Sequence, residues 1–68
     1  MKNNFAGNLL KLRKKSGMTQ EKLAARLGVS FQSVSKWENA QGYPDIELIP
    51  VIASVFQVSI DALLGYQA

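Results

Sequence analysis

The chain has 68 residues, no cysteine, no histidine and a formal net charge of +3. A chain this short forms one small domain, and it lacks the groups needed for a disulfide framework, a zinc finger or thiol and imidazole catalysis. Its longest apolar stretch, residues 48–56, is far short of the roughly 20 residues that span a bilayer, and the N-terminus has no signal-peptide core. We therefore expect one domain over residues 1–68 that is cytoplasmic, not an enzyme, and without metal, cofactor, small-molecule ligand or membrane contact.

The charge is distributed unevenly along the chain. Residues 1–38 contain all eight lysines and arginines against two glutamates, a net charge of +6, whereas residues 39–68 contain three acids and no base, a net charge of −3. Such a polarised chain has one face suited to a polyanion such as nucleic acid. Charge alone leaves a second interpretation open, namely an ordinary solvated surface with uneven charge.

The first predicted helix spans residues 4–16, with Leu9 and Leu12 on one apolar stripe. Arg13 falls beside this stripe, and Glu38 falls beside the apolar stripe of the third predicted helix. A buried charge without a partner is costly. We therefore predict that Arg13 and Glu38 form an ion pair between the two helices; the alternative is that both side chains reach solvent.

Two short helices with a tight connection follow. The predicted second helix spans residues 20–27 and the third spans residues 31–39, with Thr19 and Ser30 as side-chain N-caps. Gly28 comes directly after the second helix, where a left-handed residue is needed. This pattern meets the requirements of a helix-turn-helix, whose second helix enters the DNA major groove.

The C-terminal part predicts two more helices after a loop rich in glycine and proline. Pro50 is tolerated only in a first turn, so the fourth helix is expected over residues 47–56. The fifth is expected over residues 60–64, capped by Ser59. The sequence thus predicts an all-α, compact five-helix domain whose second and third helices form the helix-turn-helix. Its predicted core consists of the inward apolar residues Phe5, Leu9, Leu12, Leu23, Ala24, Leu27, Val34, Trp37, Leu48, Ile52, Ala53, Phe56, Ile60, Leu63 and Leu64.

The segment of residues 20–39 resembles the helix-turn-helix of the phage Cro and phage repressor family, a group of bacterial and viral regulators. The positions that carry the resemblance are Gln20, Leu23, Ala24, Leu27, Gly28, Val29, Ser30, Val34, Trp37, Glu38 and Asn39. Further matches at residues 12–13, 43–45 and 58–65 extend it over nearly the whole chain. The resemblance implies sequence-specific binding of double-stranded DNA by a transcriptional regulator, a repressor, that reads a near-palindromic operator with the third helix. It also implies the ion pair between Arg13 and Glu38.

One side of the third predicted helix is suited to reading bases. At about 100° per residue, Val34 and Trp37 mark an apolar side, and the opposite side carries Gln32, Ser35 and Lys36 without an acid. A glutamine amide can bind adenine through two hydrogen bonds and a lysine can donate to guanine, whereas phosphates would repel an acid. This side is therefore the predicted base-reading face.

Phe31 lies at the edge of that face, where the family often has a polar base-contacting residue. Its ring could pack against a thymine methyl group, which requires apolar contact and no hydrogen bond. It could equally fold back over Val29 or the second helix. With both interpretations open, the candidate base-reading residues are Phe31, Gln32, Ser35 and Lys36.

Phosphate contacts should flank the reading helix and fix its register. The resemblance implies this role for Gln20 and Asn39. Ala40 stands where the family commonly has glycine, so we expect Asn39 itself to take the left-handed conformation. The full set of candidate phosphate-binding residues is Thr19, Gln20, Ser33, Asn39, Gln41 and Tyr43.

About four reading side chains are few for typical specific affinity, so we predict a homodimer with its third helices about 34 Å apart. Val55, Val58 and Tyr66 fall outside the predicted core, in the half without basic residues. They are the predicted dimer interface. The alternative is a monomer that dimerises only on DNA.

A different class of function remains open on the same fold. An antitoxin-like or other protein-interaction module would place its function in apolar surface rather than in the third helix. Sequence-dependent DNA binding that is lost on changing Gln32 and Lys36 would distinguish the two.

Overall fold

The computed structural model describes residues 4–65. Five helices follow one another: α1 (Phe5–Lys15), α2 (Gln20–Leu27), α3 (Phe31–Glu38), α4 (Leu48–Phe56) and α5 (Ile60–Leu64). There is no strand in this part of the chain, so the predicted all-α class with five helices is confirmed. Each helix end lies within one residue of its expected position. None of these helices within residues 4–65 is both long enough and apolar enough to cross a membrane.

Side-chain caps fix where three of the helices begin. The hydroxyl oxygens of Thr19, Ser30 and Ser59 each accept a hydrogen bond from the backbone N–H three residues later, at 3.0, 3.3 and 3.0 Å. Each cap satisfies one of the N–H groups that have no partner within the helix. At their other ends, α2 and α5 stop at Gly28 and Gly65, whose φ angles of 73° and 80° are left-handed. The local sequence therefore sets the lengths of these elements.

The helices enclose one apolar core. The buried side chains are Phe5, Leu9, Leu23, Ala24, Leu27, Val34, Trp37, Ile52, Ala53 and Leu63. Four other predicted core residues, Leu12, Leu48, Phe56 and Leu64, are partly buried and pack against it. The prediction was wrong for Ile60, which is 42% exposed. Ile60 is the first residue of a five-residue helix, and that short helix reaches the core one turn later.

The end of α3 differs from the expectation. Asn39 has φ −96° and Ala40 has φ 59°, so the prediction of a left-handed Asn39 was wrong. Asn39 continues the last turn, since its backbone N–H donates to the Ser35 carbonyl oxygen at 3.0 Å. Its side-chain Nδ2 donates to the same oxygen at 2.9 Å. The left-handed position passes to Ala40, and the N–H of Gln41 then donates to the carbonyl of Lys36 at 2.8 Å. This is the bond pattern of a Schellman stop, with alanine where glycine is usual.

The start of α1 closes against the end of α5. The Asn4 N–H donates to the Leu64 carbonyl oxygen at 2.8 Å, and the side-chain Nδ2 of Asn8 donates to the Leu63 carbonyl at 3.0 Å. These bonds satisfy carbonyls that the end of a helix leaves unpaired. A Cβ atom built on Gly65 would lie 3.0 Å from the Asn8 Nδ2. The two ends of the described chain therefore meet closely.

Candidate nucleic-acid interface

The helix-turn-helix is held by apolar contact between α2 and α3. Leu23 and Ala24 of α2 and Val34 and Trp37 of α3 are buried, and α2 packs directly on α3. The N–H of Val29, after the left-handed turn, donates to the Ala24 carbonyl oxygen at 3.0 Å. The small side chain of Ala24 lets the helices approach, so one side of α3 is fixed against α2 and the other faces outward.

The outward side of α3 carries the residues that the sequence singled out for base reading. Gln32 and Lys36 are exposed, Ser35 is half-buried beside them, and Phe31 is 43% exposed. The only acid of this helix, Glu38, is turned inward, with a side-chain exposure of 4%. No carboxylate of α3 therefore faces outward to repel a nucleic-acid backbone.

Glu38 is held by Arg13 of α1. The Arg13 Nε donates to Glu38 Oε2 at 2.6 Å and Nη2 donates to Oε1 at 3.0 Å, while Nη1 donates to the Met18 carbonyl at 3.0 Å. The hydrogen bond to Glu38 raises the pKa of Arg13 above its ordinary value, although burial acts in the opposite direction. With side-chain exposures of only 12% and 4%, the two charges form a largely buried bidentate pair.

A third side chain joins this pair. The Nε2 of Gln20, the first residue of α2, lies 3.0 Å from Glu38 Oε1. A carboxylate can only accept, so the amide of Gln20 must direct an N–H toward Glu38. Sequence reasoning did not foresee this contact, because Gln20 and Glu38 are 18 residues apart on different helices and no periodicity relates them. The resulting network of Arg13, Glu38 and Gln20 connects α1, α2 and α3.

The network leaves Gln20 one donor for a phosphate. A primary amide has two N–H groups, and only one of them faces Glu38. Gln20 stands at the N-terminus of α2, where backbone N–H groups and the helix dipole also favour an anion. The sequence-predicted phosphate role of Gln20 is therefore compatible with its structural role.

Two hydroxyl candidates for phosphate binding lie at helix starts. The Thr19 oxygen accepts from the Lys22 N–H, so its own hydrogen is still available to donate. The Ser33 Oγ lies 3.1 Å from the Ser30 Oγ, in the first turn of α3. Both hydroxyls therefore have local partners and keep hydrogen-bonding capacity for a phosphate.

The remaining phosphate candidates follow α3. The Asn39 Nδ2 lies 2.9 Å from the Ser35 carbonyl oxygen and 3.4 Å from the Ser35 Oγ. Asn39 and Gln41 are both exposed. The ring of Tyr43 lies 5.8 Å from the ring of Phe5, tilted by 36°. This aromatic contact anchors the loop to α1, so Tyr43 has a structural contact in addition to its candidate role.

Two of the predicted dimer residues are less exposed than expected. Val55 and Val58 are half-buried and pack on the core, because the apolar face of α4 and of the turn after it is wider than the set of fully buried residues. Tyr66 lies outside the described residues. The large apolar residues that are exposed in α4, α5 and the turn before α4 are Ile46 at 84%, Val51 at 43% and Ile60 at 42%. Sequence reasoning did not single out these three as exposed, since exposure at a helix edge is not visible in the periodicity.

Away from α3, a groove of about 260 Å³ lies between α1 and α5. Its lining residues are Asn8, Lys11, Leu12, Lys15 and Ala62. Residues 4–65 hold no group of three or more histidine, cysteine, aspartate or glutamate side chains that could bind a metal ion. The outward side of α3 is therefore the candidate site, with the start of α2 and the loop after α3 beside it.

The comparisons with known proteins agree with this geometry. A helix-turn-helix family model matches residues 9–63. The chain is 45% identical over 61 residues to the transcriptional activator BcrR of Enterococcus faecalis, covering 90% of this chain and 30% of BcrR. It is 38% identical over 53 residues to the cryptic phage CTXphi transcriptional repressor RstR of Vibrio cholerae, covering 78% of this chain and 47% of RstR. The chain thus spans less than half the length of either relative.

A solved structure supports the same assignment. The P22 c2 repressor, crystallised in complex with a synthetic operator, superposes with a TM-score of 0.85 at 28% sequence identity. The superposition covers 93% of this chain and 96% of the repressor chain. The chain therefore belongs to the helix-turn-helix family, and within it to the phage Cro and phage repressor type.

Proposed function

We propose that this domain binds double-stranded DNA in a sequence-specific manner and regulates transcription, with α3 in the major groove. The observation that carries the proposal is the outward side of α3, where Gln32 and Lys36 are exposed beside the half-buried Ser35, while Glu38 is turned inward. The P22 c2 repressor, solved with an operator, has the same fold. The proposed role is binding without catalysis, in the cytoplasm, where bacterial DNA is found.

The direction of regulation that we propose is repression. RstR and the P22 c2 protein are both named repressors, whereas BcrR is named an activator. A DNA-binding domain fixes where a regulator binds, and the outcome depends on the position of the site. Repression is tested by placing the bound site over a reporter promoter and measuring transcription with and without the protein.

The chemistry of each candidate side chain fits a part of the groove. Gln32 can make two hydrogen bonds to adenine, Lys36 can donate to guanine N7 and O6, and Ser35 can donate or accept. Gln20 keeps one amide N–H for a phosphate, and the exposed Asn39 lies at the end of α3 with the other candidates described above. Base contacts would provide specificity, and phosphate contacts would provide position.

The first prediction separates these two groups of contacts. Gln32→Ala and Lys36→Ala should each weaken binding to the cognate duplex by about 1–3 kcal/mol and leave non-specific binding and folding nearly unchanged. Gln20→Ala should weaken all duplexes alike, because phosphates are the same in every sequence. The measurement is the Kd of each variant on a duplex selected from a random library and on its scrambled version.

Two outcomes would count against the proposal. If Gln32→Ala weakened binding to the cognate and scrambled duplexes equally, α3 would not be the element that reads the bases. Failure to select any duplex, together with tight binding of a protein partner, would instead favour the antitoxin-like module.

We further propose that the domain acts as a homodimer on a near-palindromic site. One copy offers few base contacts, and two copies on a two-fold axis would place their α3 helices about 34 Å apart, one turn of B-DNA. The proposed interface retains Val55, Val58 and Tyr66 and adds the exposed Val51 and Ile60 nearby in the chain. This half of the chain has no basic residue, which makes it suited to contact another copy rather than DNA.

The proposed dimer leads to a second prediction. Analytical ultracentrifugation should find two protein chains per full-site duplex at saturation, with binding cooperative in protein concentration. Ile60→Glu should reduce this to one chain per duplex, because a charge would be placed on an exposed apolar residue at the proposed interface. A one-to-one complex of the unmodified protein at saturation would contradict the dimer.

A further inference from the structure

One residue of the reading face cannot form a side-chain hydrogen bond. Phe31 is the first residue of α3, directly after the Ser30 cap, and its side chain is 43% exposed. It belongs neither to the buried core nor to the partly buried side chains that pack on it, which include its neighbour Val29. The first turn of α3 therefore presents a large apolar surface next to the polar side chain of Gln32.

The backbone of Phe31 lies in a capped first turn. The Ser30 hydroxyl accepts from the Ser33 N–H at 3.3 Å and lies 3.1 Å from the Ser33 hydroxyl, so the first turn is held on both sides of Phe31. In a helix, Ser35 lies on the same side as Phe31, one turn later. The N-terminal residues of a recognition helix are the ones that reach base edges. With α3 in the major groove as proposed, Phe31 would lie at the end of the helix that approaches the bases most closely.

The major groove contains only one kind of apolar group that could meet this ring. Guanine, cytosine and adenine present hydrogen-bond donors and acceptors there, and only thymine adds a C5-methyl group. A phenyl ring against a donor or acceptor would exclude water from it without replacing its hydrogen bond, which is unfavourable. We propose that Phe31 is a specificity-determining residue that reads the C5-methyl group of a pyrimidine, a thymine in unmodified DNA. This inference rests on the proposed function, because it requires α3 in the major groove.

Replacing single thymines by deoxyuridine tests the inference, because uracil pairs as thymine does and lacks only the methyl group. The duplex is the one selected from a random library by the unmodified protein. Replacing the contacted thymine in one half-site only should weaken binding about fourfold, the effect of burying one methyl group. Replacing it in both half-sites should weaken binding about 15-fold.

Variants assign this effect to Phe31. Phe31→Ala should bind thymine and uracil duplexes equally, Phe31→Leu should keep part of the preference, and Gln32→Ala should retain it fully. In a duplex with cytosine at that position, methylation to 5-methylcytosine should strengthen binding of the unmodified protein but not of Phe31→Ala. Thermal unfolding of Phe31→Ala should stay close to that of the unmodified protein, because the ring lies outside the core.

Three results would overturn the inference. Insensitivity of the unmodified protein to uracil at every thymine would show that no methyl group is read. Unchanged sensitivity in Phe31→Ala would assign the methyl contact to another residue. A large loss of thermal stability in Phe31→Ala without any change in thymine preference would make Phe31 a staple over α2. In all three cases a specific duplex has still been selected, so the proposed function survives; failure to select any duplex would overturn both.

Discussion

Glu38→Ala should lower the free energy of unfolding by about 3–5 kcal/mol, because it leaves the largely buried guanidinium of Arg13 without its carboxylate. It also removes the acceptor of the Gln20 amide, so one substitution breaks three hydrogen bonds that join three helices. The total stability of a small domain is of the same order as this loss. Urea denaturation should therefore find Glu38→Ala largely unfolded or close to it.

The control for this prediction is Glu47→Ala, directly before α4. Glu47 is exposed, its side chain makes no cap hydrogen bond, and its removal should change the free energy of unfolding by less than about 0.5 kcal/mol. A double-mutant cycle with Arg13→Met and Glu38→Gln should give a large interaction energy, since each side chain matters mainly through the other. Additive effects in that cycle would show that the interaction between Arg13 and Glu38 does not stabilise the fold.

Gly65→Ala should also be strongly destabilising, lowering the free energy of unfolding by about 2–5 kcal/mol. The left-handed φ of 80° costs an alanine roughly 1–2 kcal/mol. In addition, its Cβ would lie 3.0 Å from the Asn8 Nδ2 and 3.3 Å from the Asn4 backbone nitrogen. Both nitrogens donate to carbonyls at the end of α5, so moving them aside would strain or break those bonds, an overpacking penalty of about 1–3 kcal/mol.

Gly28→Ala is the matched control. Gly28 has a similar φ of 73°, but nothing lies within 4 Å of the Cβ that alanine would add. It should therefore cost only the conformational part, roughly 1–2 kcal/mol. Urea unfolding of the two variants measures the difference, and equal losses would show that the contact between α1 and α5 is looser than the distances indicate.

The elements of this fold could be predicted because their signals are local. The caps at Thr19, Ser30 and Ser59 and the stop at Gly28 act within one turn of the chain, so the sequence alone located the helix ends within a residue. The ion pair of Arg13 and Glu38 was also predictable. Both charges fall beside apolar stripes, and pairing them avoids the cost of burying a charge without a partner.

Other features depend on contacts between distant residues, which a single sequence does not reveal. The bond from Gln20 to Glu38 exists only once α2 and α3 are packed. The exposure of Ile60 depends on how α5 packs against the other helices, which covers Leu63 and leaves the first residue of α5 exposed. The conformation at the end of α3 was misassigned because the sequence does not show that Asn39 hydrogen-bonds to Ser35 and that Ala40 takes the positive φ.

That left-handed Ala40 also bears on how such a domain can evolve. Every alanine codon becomes a glycine codon through one base change, and glycine would occupy a φ of 59° without the steric penalty that alanine meets. Natural proteins stay above a threshold of stability rather than at its maximum. A single base change can therefore produce Ala40→Gly, which we expect to stabilise the domain, at an exposed loop position outside the reading face. A lineage that acquires it could tolerate a destabilising change in α3 that would otherwise be lost, and so move from one operator sequence to another.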